Sequence, residues 1–423
     1  MGNRNLIGSG LFRNTAVLFS GTAIAQVIPL LLSPVLTRLY SPADFGTYYL
    51  FLSMVAPLAV VYSGRYDMAV MLPSEKRDAA HVAAVGVVVA GLLSLITAIL
   101  VWPLSHFISL KFESPDVEPW LIWVPVAVFF MASYRCVSFL LIRDEKYKLS
   151  SVNKVVQTSA TGASSVGMGW QNANLGGLIW SDLIGKGLLF IAGFVQVKRI
   201  GYAMRNINLS HMREMARRYA EYPKYNALPA LADSLSLNIP VMMVFNFFGQ
   251  QVTSFFNFSR QVIGSPLLLV SGSLSQVLFQ RIARKKEAGE SIRKMLMSTL
   301  GVLSLLALVY LAVIELTAED LFAWAFGEPW RMAGYHARFL AISFALKFVI
   351  SPLSIVFPAL GAIKTGSIWQ GVYFFAIAVL FFAGVLSIRQ FLWLYVAIES
   401  VMYLIYLYLA LLVVNRYESS LTK

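Results

Sequence analysis

The sequence predicts an all-α integral membrane protein, with about twelve transmembrane helices in two six-helix bundles around a central cavity. Three observations lead there. Hydrophobic residues make up 58% of the chain and charged residues only 13%, whereas a soluble domain needs roughly a quarter of its residues charged. Apolar runs repeatedly reach the about 20 residues that a helix needs to cross the hydrocarbon core. The period-two alternation of a membrane β-barrel is absent.

Taken in order, the runs place spans at 14–39, 45–63, 80–107, 119–142, 150–169, 174–197, 226–248, 254–280, 295–316, 335–360, 365–387 and 391–414. The first run is too long for a signal-peptide core and has no small-residue cleavage site after it, so it reads as an uncleaved span. The fifth is rich in Gly, Ser and Ala over Thr158–Gly169, which lets helices pack closely. Pro57, Pro125, Pro240, Pro266, Pro352 and Pro358 fall inside spans, where neighbouring groups can satisfy the carbonyls that a kink frees.

The loops test this map. With both termini cytoplasmic, 24 Lys and Arg fall on the inner side and 5 on the outer, the asymmetry expected of short membrane loops. The net charge of +13 is thereby explained as an orientation signal and gives no reason to invoke nucleic acid as a partner. The basic stretch 198–225 separates residues 1–197 from 226–423, six spans each, a division common among transporters. Within it Leu209, Met212, Met215 and Tyr219 recur at near-helical spacing among Arg213, Arg217 and Arg218. This fits either a helix on the inner membrane surface or a solvated basic linker.

Charges inside the spans carry the functional information. A charge near the bilayer centre costs roughly 3 kcal/mol even on the lenient insertion scale, so such residues face a bundle interior or a wet cavity. The cations are Arg135, Lys154, Lys186, Arg260 and Lys347, and the acids are Asp182, Asp233 and Glu399. Lys186 and Lys347 sit near mid-span, too deep to reach an interface, whereas Lys154 can snorkel. Asp182 and Lys186 are i,i+4 in the favourable acid-first order, so mutual neutralisation competes with a cavity role. Lys347 has no acid within a helical turn and must find its partner on another helix or on a ligand. Asp182, Asp233 and Glu399 could serve as charge partners or meet a coupling H+ or Na+. The excess of cations suits an anion such as a pyrophosphate.

Other chemistry finds no pattern. The four histidines have no ligand spacing, Cys136 is alone, and no glycine-rich loop precedes a Lys-Ser or Lys-Thr pair, so neither a metal nor another cofactor is expected.

Several segments resemble the polysaccharide transporter family, the Wzx-type flippases of the multidrug/oligosaccharidyl-lipid/polysaccharide (MOP) exporter superfamily. They are Leu36-Thr-Arg-Leu-Tyr-Ser-Pro-Ala-Asp-Phe-Gly-Thr-Tyr, Gly64-Arg-Tyr-Asp-Met-Ala-Val-Met-Leu-Pro, Tyr222-Pro-Lys-Tyr-Asn-Ala-Leu-Pro-Ala-Leu, Ser259-Arg-Gln-Val-Ile-Gly-Ser-Pro and Gly327-Glu-Pro-Trp. Arg38, Pro42, Gly46, Arg65 and Arg260 fall on family positions. The resemblance implies a bacterial inner-membrane protein that flips undecaprenyl-pyrophosphate-linked oligosaccharide, an O-antigen or exopolysaccharide unit, by alternating access coupled to an ion gradient. Its implied partners are that lipid-linked substrate, membrane lipids and polysaccharide-assembly proteins. It also implies a pyrophosphate role for Arg65 and Arg260, to which the charge argument adds Arg135, Lys186 and Lys347. The competing readings are a drug efflux transporter, which net cationic spans disfavour, and a polysaccharide polymerase or ligase, which would need a larger outer loop than 317–334.

Overall fold

The computed structural model describes residue 21, residues 23–202 and residues 207–421, and every element among them is helical. The predicted span residues 14–20, with Arg4, Arg13, Arg205 and Lys423, lie outside the described residues. The first helices are α1 (Ala23–Leu39), α2 (Pro42–Val61), α3 (Tyr66–Ala69), α4 (Lys76–Lys111), α5 (Glu118–Leu121), α6 (Trp123–Arg143), α7 (Tyr147–Asn172), α8 (Leu175–Arg199) and α9 (Leu209–Arg218). Then follow α10 (Glu221–Glu287), α11 (Arg293–Phe326), α12 (Arg331–Ile350), α13 (Val356–Ala359), α14 (Ile363–Ala378) and α15 (Ile388–Leu421).

Among the described residues, nine segments are long and apolar enough to cross a bilayer. One of them, α10, has 67 residues, about 100 Å if straight and far more than one crossing needs. It is not straight. Gly249 breaks it with φ 79° and ψ −176°, a conformation open to glycine and strained for other residues, so the predicted seventh and eighth spans are its two arms. The predicted fifth span, α7, is a full-length helix of 26 residues but too polar to count among the nine. Its Gly162, Ser165 and Gly169 are buried, and the Tyr40 hydroxyl donates to the Ser165 carbonyl at 2.7 Å.

Internal contacts divide the chain into two compact units. The first runs to Asn238 and includes Gly249–Gln251; the second comprises Ile239–Phe248 and the chain from Val252 onward. In the first unit α2, α4, α6 and α8 pack on one another around Phe51, Val55, Ala127, Val128 and Ile179. In the second, α11, α12 and α15 enclose Leu303, Phe348, Ile350, Leu353 and Ala410.

The family-like strings explain themselves locally. Ser41 caps α2 by accepting from the Asp44 N–H while the Asp44 carboxylate accepts from the Ser41 N–H, with Pro42 in the first turn, a reciprocal capping box. At Gly46 a Cβ would strike the Gln250 carbonyl, so only glycine lets α2 lie against that backbone. Gly327 ends α11 at φ 99°, which delivers Trp330 into a fully buried position 4.5 Å from the Phe258 ring, centroid to centroid. The Ser259 hydroxyl donates to the Ala333 carbonyl at 2.5 Å, tying the second arm of α10 to α12.

The basic stretch 198–225 holds α9, which forms a helix whose apolar side covers protein. Met215 is buried, Met212, Ala216 and Tyr219 pack on the core of the first unit, and the Tyr66 hydroxyl donates to the Ala216 carbonyl at 2.9 Å. Arg213, Arg217 and Arg218 face outward. A histidine pair fixes the docking. His211 meets Asp78 of α4 at 2.8 Å and Glu214 at 3.0 Å, and its ring stands edge-on to His81 at 4.5 Å. His81 Nδ1 lies 2.7 Å from the Arg77 carbonyl, and its Nε2 accepts from the Asn208 N–H at 3.4 Å.

The hydrogen bond to Asp78, aided by Glu214, raises the His211 pKa above its ordinary value. A raised folded-state pKa contributes stability that is fully present below about pH 6.5 and lost as pH climbs through the folded value. Amide protection over 209–218, the observed exchange rate relative to the intrinsic rate at each pH, should therefore be greatest under mildly acidic conditions and fall toward alkaline pH. In His211→Phe that pH dependence should vanish; its persistence would assign the docking to other contacts.

Candidate functional site

The charges in and beside the spans form three clusters, two in the first unit and one in the second. In the first unit the chain leaves α2 through two consecutive left-handed residues, Gly64 and Arg65, both at φ 59°. That reversal tucks the Asp67 carboxylate, fully buried, beneath Ser63, whose hydroxyl donates to Oδ1 at 2.8 Å. Arg135 of α6 donates from Nε to Oδ2 at 3.1 Å. Both carboxylate oxygens are thereby used, while the terminal amino groups of Arg135 have no acceptor among the described residues.

Arg65 adds a second guanidinium. Its Nε is buried without a hydrogen-bond partner, and its Nη2 lies on the Met68 sulfur at 2.6 Å. Burial lowers the Arg65 pKa from its ordinary value, Asp67 opposes that shift and Arg135 adds to it; a guanidinium stays charged regardless. Two arginines thus surround one carboxylate, leaving a unit of positive charge. Such planar forks match phosphate oxygens.

The second cluster is the i,i+4 pair of α8. Lys186 and Asp182 form a direct ion pair, and both are buried. The cluster is neutral and its lysine is occupied. Asp233 is half-buried on the first arm of α10.

The third cluster lies in the second unit. Lys347 of α12 meets Glu399 of α15 at 3.4 Å, with the glutamate fully buried. The Tyr373 hydroxyl from α14 donates to the same Glu399 oxygen at 2.9 Å. Lys347 also stands over the rings of Phe344 (5.4 Å) and Tyr403 (5.2 Å), within the range of cation–π attraction. Arg260, half-buried on the second arm of α10, stacks over Phe256 at 5.4 Å and Tyr395 at 6.0 Å. Its charge acts on both Lys347 and Glu399. Arg260 and Lys347 thus both act on the Glu399 carboxylate.

The five cations singled out from sequence therefore have different surroundings. Arg65 and Arg135 meet around Asp67, Arg260 and Lys347 meet around Glu399, and Lys186 is neutralised within its own helix. Sequence reading passed over Asp67, although a lone acid in the apolar string Tyr66–Leu72 is the same signal that exposed the others. It also missed Tyr395 and Tyr403, which lie i−4 and i+4 from Glu399 on α15 and share its face. Among the described residues no His, Cys, Asp or Glu group has the arrangement to hold a metal ion.

The model of a family described as polysaccharide biosynthesis protein matches residues 35–334. The chain belongs to this family. The chain is similar to the teichuronic acid biosynthesis protein TuaB of Bacillus subtilis (strain 168). The two are 24% identical over 177 residues, 41% of this chain and 37% of TuaB, so the match spans little more than a third of that relative's length. Among solved structures it resembles an inward-facing multidrug resistance MATE family transporter of the MOP superfamily, with TM-score 0.64 and 14% identity over 95% of both chains. It also resembles a MOP superfamily transporter from Pyrococcus furiosus, with TM-score 0.63 and 15% identity over 97% of this chain and 96% of that one. At such identity the likeness establishes the fold. The protein is a multi-pass membrane protein with the two-bundle fold of MOP transporters, and the family expected from its motifs is the one found.

Proposed function

We propose that this protein is a flippase that moves an undecaprenyl-pyrophosphate-linked oligosaccharide from the cytoplasmic to the periplasmic leaflet of a bacterial inner membrane. It does so by alternating access, with both termini cytoplasmic and transport drawn from an H+ or Na+ gradient that Asp182, Asp233 or Glu399 could meet. The cargo is a precursor of a surface polysaccharide such as O-antigen. The observation that carries this reading is the clustering of cations in and beside the membrane-spanning helices, Arg65 and Arg135 around Asp67 and Arg260 and Lys347 near Glu399. Membership of a polysaccharide biosynthesis family supports it further. Cationic drugs would be repelled by the same charges, which weighs against efflux, and a pyrophosphate would gain charge-assisted bonds from each guanidinium. The Asp182–Lys186 pair is neutral and adds nothing to the attraction for an anion.

The test is leaflet assignment of the lipid-linked saccharide in living cells. Cells lacking the protein, and cells carrying Arg65→Ala or Arg260→Ala in a normally inserted chain, should accumulate the intermediate on the cytoplasmic side. Accumulation of unpolymerised units outside would instead indicate a polymerase and defeat the proposal.

A further inference from the structure

The second unit contains a cleft away from these charges. It has a volume of about 460 Å³ and is lined by Glu315 of α11, Tyr335, Arg338 and Phe339 of α12, and Arg389 and Trp393 of α15. That volume falls within the roughly 300–1,000 Å³ of small-molecule sites. The rings form a continuous wall, Tyr335 edge-on to Phe339 at 5.0 Å and Phe339 edge-on to Trp393 at 5.3 Å. Trp393 remains 48% exposed, so a ligand can reach its indole.

The polar groups are equally organised. Arg338 donates to Glu315 Oε1 from Nη2 at 2.5 Å and from Nε at 3.2 Å, and to Glu319 from Nη1 at 2.7 Å. Two carboxylates therefore hold this guanidinium, and its charge is already answered. Glu315 Oε2 has no donor among the described residues, and the exposed Arg389 has no ion pair there. Glu319 does not line the cleft but pairs with Arg338, and with it counted the two arginines and two glutamates sum to zero charge.

The geometry points to a binding site for a neutral sugar in this cleft. With Glu315 paired to Arg338, the lining leaves one cation, Arg389, too few for a phosphate dianion, and an acyl chain would gain nothing from three charged side chains. A pyranose offers both an apolar C–H face for an indole and hydroxyls that can donate to a carboxylate and accept from a guanidinium. Aromatic walls with a few placed polar groups are the general form of such sites. In the flippase reading, on which the source of the ligand rests, the sugar belongs to the transported oligosaccharide, and the cleft supplies recognition separate from the cationic clusters.

The test uses the full chain in lipid nanodiscs, titrated with the water-soluble oligosaccharide released by mild acid from the host's own lipid-linked intermediates. Binding should be detectable for the unaltered protein, weaken about tenfold or more in Trp393→Ala, the equivalent of about 1.4 kcal/mol, and remain within about threefold in Trp393→Phe. Arg389→Ala should weaken it as well, and sn-glycerol 3-phosphate should not compete. Unchanged affinity in Trp393→Ala, competition by glycerol phosphate, or no binding to the unaltered protein would each overturn the sugar site. Those failures leave the flippase reading to the leaflet assay, which can succeed with the cleft empty of sugar or fail with the cleft occupied.

Discussion

Replacing Lys347 by Met should lower the stability of the protein by about 3–5 kcal/mol, the usual cost of breaking a buried ion pair from one side. Glu399 is 1% exposed, so its carboxylate has no water to turn to. Tyr373 supplies one hydrogen bond, and Arg260 supplies a second, more distant positive charge. The loss should therefore fall toward the lower end of that range. The mirror change, Glu399→Gln, leaves Lys347 beside Arg260 with no anion between them and should also destabilise. Combining the two substitutions removes both charges and should recover most of the loss, because the members of one pair are strongly coupled. Thermal unfolding of the three variants in one detergent measures this directly. If the single variants unfold like the unaltered protein, Lys347 and Glu399 are not a buried pair. Transport separates the structural from the functional role: in the flippase reading the double variant is stable and still impaired, since Glu399 no longer carries the charge that a coupling ion would meet.

The second large effect is expected at Asp67. Its carboxylate accepts from Ser63 and Arg135 and is completely shielded from solvent. Asp67→Ala strands both donors and leaves Arg65 and Arg135 to repel each other. Arg135 keeps 34% of its side chain exposed and can swing part of its charge toward the interface, which moderates the loss to about 2–4 kcal/mol, near that for a broken buried pair. Asp67→Asn keeps an acceptor for Ser63 but loses the charge. It should fall between the Ala variant and the unaltered protein in unfolding midpoint. Equal stability of all three would mean that the turn at Gly64 and Arg65, rather than the carboxylate, holds this corner.

How much of this could be read beforehand varies with the range of the interaction. The span positions were legible because each apolar run reports its own length. Pairing of Asp182 with Lys186 was legible as a geometric option, since four residues bring two side chains onto one helix face. The partners of Lys347 and Arg135 were not, because Glu399 and Asp67 lie 52 and 68 residues away in the chain. Periodicity showed α9 to be amphipathic but could not say what its apolar side would cover. Met215 is buried on the first unit, whereas Leu209 at the other end of the helix is 80% exposed.

The sequence by itself determined that this protein is a bundle of membrane-spanning helices and roughly where each span lies. In hydrocarbon every backbone N–H and C=O must be satisfied within its own segment, so an apolar run of sufficient length forms a helix whatever its neighbours are. Only the tertiary structure decided which buried charges are neutralised and which are left in excess. In a medium of low dielectric that outcome depends on separations of a few ångströms between side chains, and those separations are set by helix packing between residues far apart in the chain.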